Sequence, residues 1–275
     1  MEELIDDKKE NQSYKRDEYV YLSKLYQKAG RYEEMINFIT WFVTLNPELN
    51  KPERTLFVDG FKLSAELKKQ AWRNVFSAEK REIFKTTEIN NASLIKEARV
   101  KIELELRFIY NKMLMLLNEH ILPRLTENDE NKVFYLKLKA DYYRYLAEIC
   151  MDKEYMNYAE QAQTEYKNAW DISKSLQMHN ITRLSLALNF SVFLYEIKNN
   201  RDEAKKLAKF AFDESMKTIE EINKTNSTET ILLIKLLNEN IILWNIEVEN
   251  TEDTAENEEF FKRKAQEFKI DQMLA

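Results

Sequence analysis

Glycine and proline are nearly missing from this chain: two and three residues respectively in 275, where average usage gives roughly 33 for the pair. Strand turns and strand–helix connections depend on them, because Gly supplies positive φ and Pro presets turn geometry. The expectation is therefore an all-α fold. The same scarcity excludes glycine-rich phosphate loops, since Gly30 and Gly60 are the only glycines and neither a P-loop nor a GxGxxG turn can be built from them. His120 and His179 have no companion at metal-ligand spacing and Cys150 has no second cysteine, so no metal, cofactor or disulfide is expected. A single thiol suits a reducing compartment, no apolar run reaches the roughly 18–20 residues of a membrane span, and Met1-Glu2-Glu3 lacks the order of a signal peptide. These features predict a cytoplasmic protein with nuclear access left open. A net charge of −6 argues against generic nucleic-acid binding and leaves local basic patches open.

Apolar residues recur at three- and four-residue spacing, the helical period. They predict helices over 15–29, 33–45, 53–84, 91–122, 130–150, 153–175, 181–198, 201–222 and 228–249. Gly30, Pro47, Pro52, Pro123 and His179-Asn180 mark breaks, Asn200 is placed to cap the helix from Arg201, and Ser227 or Thr228 the last one. Residues 1–14 read as a disordered extension, 15–250 as one helical domain, and 251–275 as an acidic, then basic-aromatic tail with room for a tenth helix. Nine helices on short loops suggest an antiparallel stack, without a strict tetratricopeptide repeat.

Several polar residues run against the pattern. Helix 53–84 carries a stripe of Phe57, Phe61, Ser64, Leu67, Ala71, Trp72 and Val75, with Lys62 and Lys69 away from it. Seven steps of about 100° nearly close two turns, so both ammonium groups point one way, roughly 10.5 Å apart along the axis. Lys137 and Arg144 repeat the spacing, and Tyr145 adds a hydroxyl. A solvated helix face would look the same in a chain with 42 lysines and arginines. Farther on, Asn189 shares a face with Leu188, Val192 and Glu196, and Asn240 lies among Leu233, Leu236, Leu243 and Trp244. A carboxamide on an apolar stripe is unfavourable unless its donors and acceptor are satisfied. An extended peptide backbone could satisfy them, and so could the protein core.

Two long runs resemble the 14-3-3 proteins: Val133-Phe134-Tyr135-Leu136-Lys137-Leu138-Lys139-Ala140-Asp141-Tyr142-Tyr143-Arg144-Tyr145-Leu146-Ala147-Glu148, and Leu186-Ala187-Leu188-Asn189-Phe190-Ser191-Val192-Phe193 with Tyr195-Glu196-Ile197 after it. Weaker agreement runs from Leu22 to Trp244 through Arg31-Tyr32-Glu33-Glu34-Met35, Lys101-Ile102-Glu103-Leu104-Glu105-Leu106 and Leu236-Leu237-Asn238-Glu239-Asn240. The resemblance implies a non-enzymatic, nine-helix adaptor that dimerises through its first four helices (about 15–122) and holds phosphoserine or phosphothreonine peptides of client proteins in an amphipathic groove. It assigns Lys62, Lys69, Arg144 and Tyr145 to the phosphate, and Asn189 and Asn240 to the peptide backbone. Lys137, Glu148, Leu188, Val192, Glu196, Leu233, Leu236 and Trp244 line the groove. At the homodimer or heterodimer interface it sets Arg31 against Glu105 and Glu34 against Lys101 of opposite subunits, with Tyr21, Leu22 and Leu25 supplying apolar surface.

The chain also departs from the family pattern. The first signature is eroded over residues 54–63, Ala71 replaces a serine modified in some members, and the loop after His179 is longer. The eroded signature and Lys69 favour an alternative, a divergent scaffold of the same fold that binds unphosphorylated partners, whereas the intact Arg144, Tyr145, Asn189 and Asn240 favour the phosphopeptide reading. A helical enzyme is a third reading, with neither a DDxxD nor a Glu-x-x-His motif to support it. Most members carry Arg where Lys69 stands, and lysine lacks the planar two-pronged donor set that matches phosphate. Lys69→Arg is therefore expected to tighten phosphopeptide binding by about 1–2 kcal/mol; a titration showing no change, or a loss, refutes this.

Overall fold

The computed structural model of the chain describes residues 2–83, 91–125, 130–150, 152–218 and 227–250. Among the described residues every regular element is helical: α1 (Glu2–Lys28), α2 (Tyr32–Leu45), α3 (Lys51–Ile83), α4 (Ala92–Met115), α5 (Glu130–Ile149), α6 (Asp152–Ser173), α7 (Ile181–Glu196), α8 (Arg201–Met216) and α9 (Thr228–Asn250). Helix α4 runs on through a π turn (Leu116–Ile121) into a 3-10 turn (Leu122–Arg124) that contains Pro123. The chain divides into two compact units, Met1–Arg124 and Leu125–Ala275.

Most boundaries follow the periodicity, and the exceptions have local causes. Helix α1 begins at Glu2, well before residue 15; its first turns hold no Gly or Pro and include three Glu and two Lys, which favour helix. Helix α7 stops at Glu196, where Asn199 takes a positive φ of 50° and the Asn200 N–H returns to the Leu194 carbonyl at 2.8 Å. Asparagine is one of the few residues that adopts this conformation at modest cost. The expected helix end at 219–222 and the tail from 251, with its tenth helix, lie outside the described residues.

In the first unit α1 turns into α2 at Gly30, whose φ is +69°, and the Arg31 N–H reaches back to the Tyr26 carbonyl at 3.0 Å. This is a glycine-closed helix end. Helix α3 starts with a reciprocal cap: Asn50 Oδ1 accepts from the Glu53 N–H at 3.0 Å, and Glu53 Oε2 accepts from the Asn50 N–H at 3.1 Å. Arg16 of α1 binds the same carboxylate through both terminal nitrogens, at 2.8 and 3.0 Å, so one acid caps α3 and ties it to α1. Gly60 lets α3 approach α2 closely, for a Cβ there would collide with Ile39 Cδ1.

Helices α3 and α4 run antiparallel, joined by Trp72 Nε1, which donates to Glu103 at 2.9 Å, and by buried Arg99, which binds both Glu79 and Glu103. Leu67 does not belong to the buried stripe of α3: it is 71% exposed. It lies about 140° around the helix from the Phe61–Ala65–Trp72 line, so packing takes Ala65 in its place.

In the second unit α5 and α6 are antiparallel, with Lys139 bound to Glu165 at 2.8 Å and Tyr143 stacked on Tyr158. Alanines on α6 (Ala159, Ala162, Ala169) and α8 (Ala204, Ala208, Ala211) are fully buried, and small side chains there permit close helix packing. Asn180 caps α7 by accepting from the Thr182 and Arg183 N–H groups at 2.9 and 3.2 Å, while its own amide nitrogen reaches Glu130 on α5 at 3.0 Å. Asn200 and Ser227 cap α8 and α9, as expected from the sequence.

The double duty of Glu53 has a pH signature. Burial pushes its carboxyl up, but the Arg16 hydrogen bonds, the Asn50 N–H and nearby positive charge outweigh that and hold it below the ordinary glutamate value. A depressed folded value means the contribution is complete at neutral pH and fades as pH falls through it. Glu53→Gln is expected to lower unfolding free energy by about 1–2 kcal/mol at neutral pH. In urea titrations its deficit against wild type should shrink on acidification below about pH 4; a constant deficit rules the ion pair out as its source.

Candidate functional site

Helix α5 carries charge where a core helix would be apolar. Lys137, Asp141, Arg144 and Glu148 follow spacings of four, three and four, which set them on one face. Lys137 Nζ lies 3.2 Å from Asp141 Oδ2, and Arg144 Nη1 lies 3.6 Å from Glu148 Oε1. Asp141 and Arg144 are only 3% and 2% exposed. Buried ion pairs seldom add net stability, since desolvation offsets the attraction. A sunken stripe of this kind therefore points toward a task other than holding the fold together.

The neighbouring helices meet this stripe with polar groups of their own. Tyr166 of α6 donates its hydroxyl to Asp141 Oδ1 and is wedged against Phe190 and Phe193 of α7. Burial, then the Asp141 charge, push its phenol well above the usual tyrosine value, although Arg144 opposes this. Asn189 of α7 donates its amide nitrogen to both Asp141 oxygens, at 3.0 and 3.1 Å. Tyr145 follows Arg144 and is half-buried, its ring 4.8 Å from the guanidinium carbon.

Helix α9 contributes Asn240, which is 8% exposed and whose amide nitrogen is buried with no hydrogen-bond partner. Trp244, one turn on, stacks on Tyr195 of α7 at 4.5 Å and 7°, with half-buried Glu196 next in the chain. Val192, Leu236 and Trp244 retain a sliver of surface, whereas Leu188 and Leu233 have essentially none and pack beneath this face. The partly open leucine in line with Leu236 and Asn240 is Leu232. Four-residue spacing from Leu232 to Leu236 to Asn240 was the signal available for it.

In the first unit, Lys62 and Lys69 are both half-buried on α3. Asp59 stands one turn before Lys62 and accepts from Gln27 at 3.3 Å. Burial raises its carboxyl, and Gln27 and the Lys62 charge pull it partway back. The phosphate residues expected from the sequence are thus split, two lysines in the first unit and Arg144 with Tyr145 in the second.

The expected interface residues also lie in the first unit. Tyr21 and Leu25 are exposed, Leu22 is half-buried and Lys101 is exposed. Within one chain Arg31 closes on Glu34, and Glu105 binds Lys68 at 2.6 Å, a lysine that also reaches Glu33 at 2.8 Å.

Two residues that complete the second-unit cluster, Asp141 and Tyr166, are not among those expected from the sequence. Asp141 had a signal, being four residues after Lys137 and three before Arg144 on one helix face. Tyr166 had none, because it lies in another helix with no motif around it. Among the described residues no group of His, Cys, Asp and Glu is arranged to hold a metal ion, and no helix is long and apolar enough to cross a membrane.

A family model described as 14-3-3 protein matches residues 22–245. The 14-3-3-like protein G-BOX factor 14 kappa of Arabidopsis thaliana is 39% identical over 87% of this chain and 98% of its own length. The 14-3-3-like protein GF14-E of Oryza sativa subsp. japonica is 41% identical over 88% of this chain and 92% of its own. 14-3-3 protein 3 of Entamoeba histolytica is 37% identical over 88% and 96%.

A buried donor without a partner costs free energy that an apolar residue of like size would not. Asn240→Leu is therefore expected to leave the protein as stable as wild type or more so, by up to about 1 kcal/mol, while weakening capture of a peptide ligand. Chemical denaturation and a binding titration on the same preparation check both halves. A clear loss of stability would show the amide to be structural.

Proposed function

We propose, because the chain belongs to the 14-3-3 family of non-enzymatic adaptors, that it binds client proteins through phosphoserine or phosphothreonine peptides held in extended form. The observation that carries this reading is the buried amide nitrogen of Asn240, which has no partner in the protein. A donor kept dry and unsatisfied is costly, and a bound backbone carbonyl would relieve that cost. Asn189, on the adjacent helix, is the second backbone contact in this proposal.

Phosphate recognition is assigned in this proposal to Lys62, Lys69, Arg144 and Tyr145. A phosphoryl group carries about −1.5 to −2 charges and three acceptor oxygens at neutral pH, which suits several cationic donors and one directed hydroxyl. An unmodified serine would leave those cations repelling one another, so the same residues would discriminate. The acidity of the whole chain does not oppose this, because screening confines each charge to about 8–10 Å. Lys137, Glu148, Glu196, Val192, Leu236 and Trp244 would line the remainder of the groove. Clamping, masking or scaffolding of clients by a dimer whose contacts lie within residues 15–122 completes the proposal, with the segment from 251 as an appended tail.

The competing reading, a scaffold for unphosphorylated partners, draws on Lys69 and the eroded signature near it. Fluorescence polarisation separates the two. A labelled, arginine-containing phosphoserine peptide is expected to bind at least tenfold more tightly than its unphosphorylated twin, and Lys62→Glu should remove most of that difference. Equal binding of the twins to wild type sinks the phosphopeptide reading.

A further inference from the structure

The Asp141 carboxylate is surrounded by donors. Its Oδ1 accepts from the Tyr166 hydroxyl and from Asn189 Nδ2 at 3.0 Å, and its Oδ2 from Asn189 Nδ2 at 3.1 Å and Lys137 Nζ at 3.2 Å. An ammonium and an amide NH2 can only donate, so both carboxylate oxygens are fixed as acceptors. That asymmetry decides which way round the Asn189 amide sits. Turned over, it would set its carbonyl oxygen about 3 Å from two carboxylate oxygens, acceptor against acceptor, at a site with almost no water to screen the repulsion.

We infer that Asp141, held in turn by Tyr166, is a positioning residue that locks the Asn189 amide with its nitrogen inward, so that Asn189 offers a bound peptide its oxygen and reads a backbone N–H in preference to a backbone carbonyl. Asn240 is the complementary case. Its amide nitrogen is the end without a partner, so the two asparagines present opposite polarities, an acceptor from α7 and a donor from α9. An extended peptide alternates N–H and C=O groups along each edge. A fixed acceptor at Asn189 therefore restricts the register such a peptide can take, which a freely turning amide would not.

Tyr166 is what makes the lock stiff. It is completely buried and packed against Phe190 on the turn that follows Asn189 and Phe193 one turn beyond. A shift of the phenol would have to move the helix that carries the asparagine. The sequence contains the same three residues, but only the distances show that they form a chain from α6 through α5 to α7.

The inference rests on the reading that Asn189 touches the peptide backbone, and its test separates the two. The phosphoserine peptide is made as a series in which each backbone amide near the phosphoserine is replaced in turn by an ester, which deletes one N–H. On wild type, one ester should bind about five- to tenfold more weakly than the parent, the loss of a single hydrogen bond, and Asn189→Leu should erase that penalty. Asp141→Asn lets the amide turn over, so the penalty at that position should fall to about twofold or less, with a partial fall in Tyr166→Phe. A merely structural role would weaken the parent and every ester in parallel. An unchanged penalty in Asp141→Asn, or in Tyr166→Phe if the first variant does not fold, overturns the inference.

A second readout needs no peptide. In the free protein the Asn189 side-chain NH2 should exchange slowly with solvent, and its nitrogen–proton resonances should move in Tyr166→Phe. Protection without phosphopeptide binding would retain the lock and reject the proposed function; a rapidly exchanging NH2 would reject the lock itself.

Discussion

A carboxylate kept from water sets the terms for the second unit. Asp141 lies on α5, receives its hydroxyl partner from α6 and its amide partner from α7, and has the ammonium of Lys137 one turn away. A buried charge is tolerated only when it is paired and its hydrogen-bonding capacity filled. The three helices must therefore keep their mutual spacing to within a fraction of an ångström around one residue. Apolar packing of Tyr166, Phe190 and Phe193 supplies the cohesion, and the carboxylate supplies the geometry. Apolar contacts tolerate repacking at modest cost, whereas a filled polar cluster tolerates little, so the polar part defines a single arrangement.

Where the two asparagines differ, the physics of the site becomes visible. Asn189 has its nitrogen committed, and Asn240 has its nitrogen buried and idle. A core selected for stability alone would fill both positions with leucine, as it does with Leu188 beside one and Leu237 a turn before the other. Retaining an unsatisfied donor means accepting a loss that the rest of the unit must offset. The buried alanines of α6 and α8 and the capped starts of α7, α8 and α9 are features of this unit that favour its folding.

The helices were legible because their period is regular and the few glycines and prolines left little room for anything else. Errors arose where one dimension of information was insufficient. Leu67 looked like part of a stripe when apolar residues were taken at any spacing of three or four, but the drift of 100° per residue carries it to the far side of α3. Tyr166 was out of reach altogether: its partner is 25 residues away, and no local pattern couples a tyrosine on one helix to a carboxylate on the next. Lys62, Lys69, Arg144 and Tyr145 came from motif resemblance, since periodicity shows only that a charge leaves a helix face and never where it arrives.

Dimerisation, which family membership implies, raises a question of charge exchange in the first unit. Arg31 and Glu34 already pair with each other, and Glu105 already has Lys68. Pairing Arg31 with Glu105 and Glu34 with Lys101 across subunits would break two such contacts and form two, and exposed pairs contribute only about 0–1 kcal/mol apiece. Their net effect on association is then close to zero, and in the proposed interface cohesion would come from the apolar surface of α1, where Tyr21 and Leu25 are 66% and 48% exposed. What the charges can still do is discriminate. A subunit that presents the wrong sign opposite Arg31 or Glu34 leaves a like-charge contact with no compensating partner, and that penalty, unlike the matched pairing, is not cancelled by exchange.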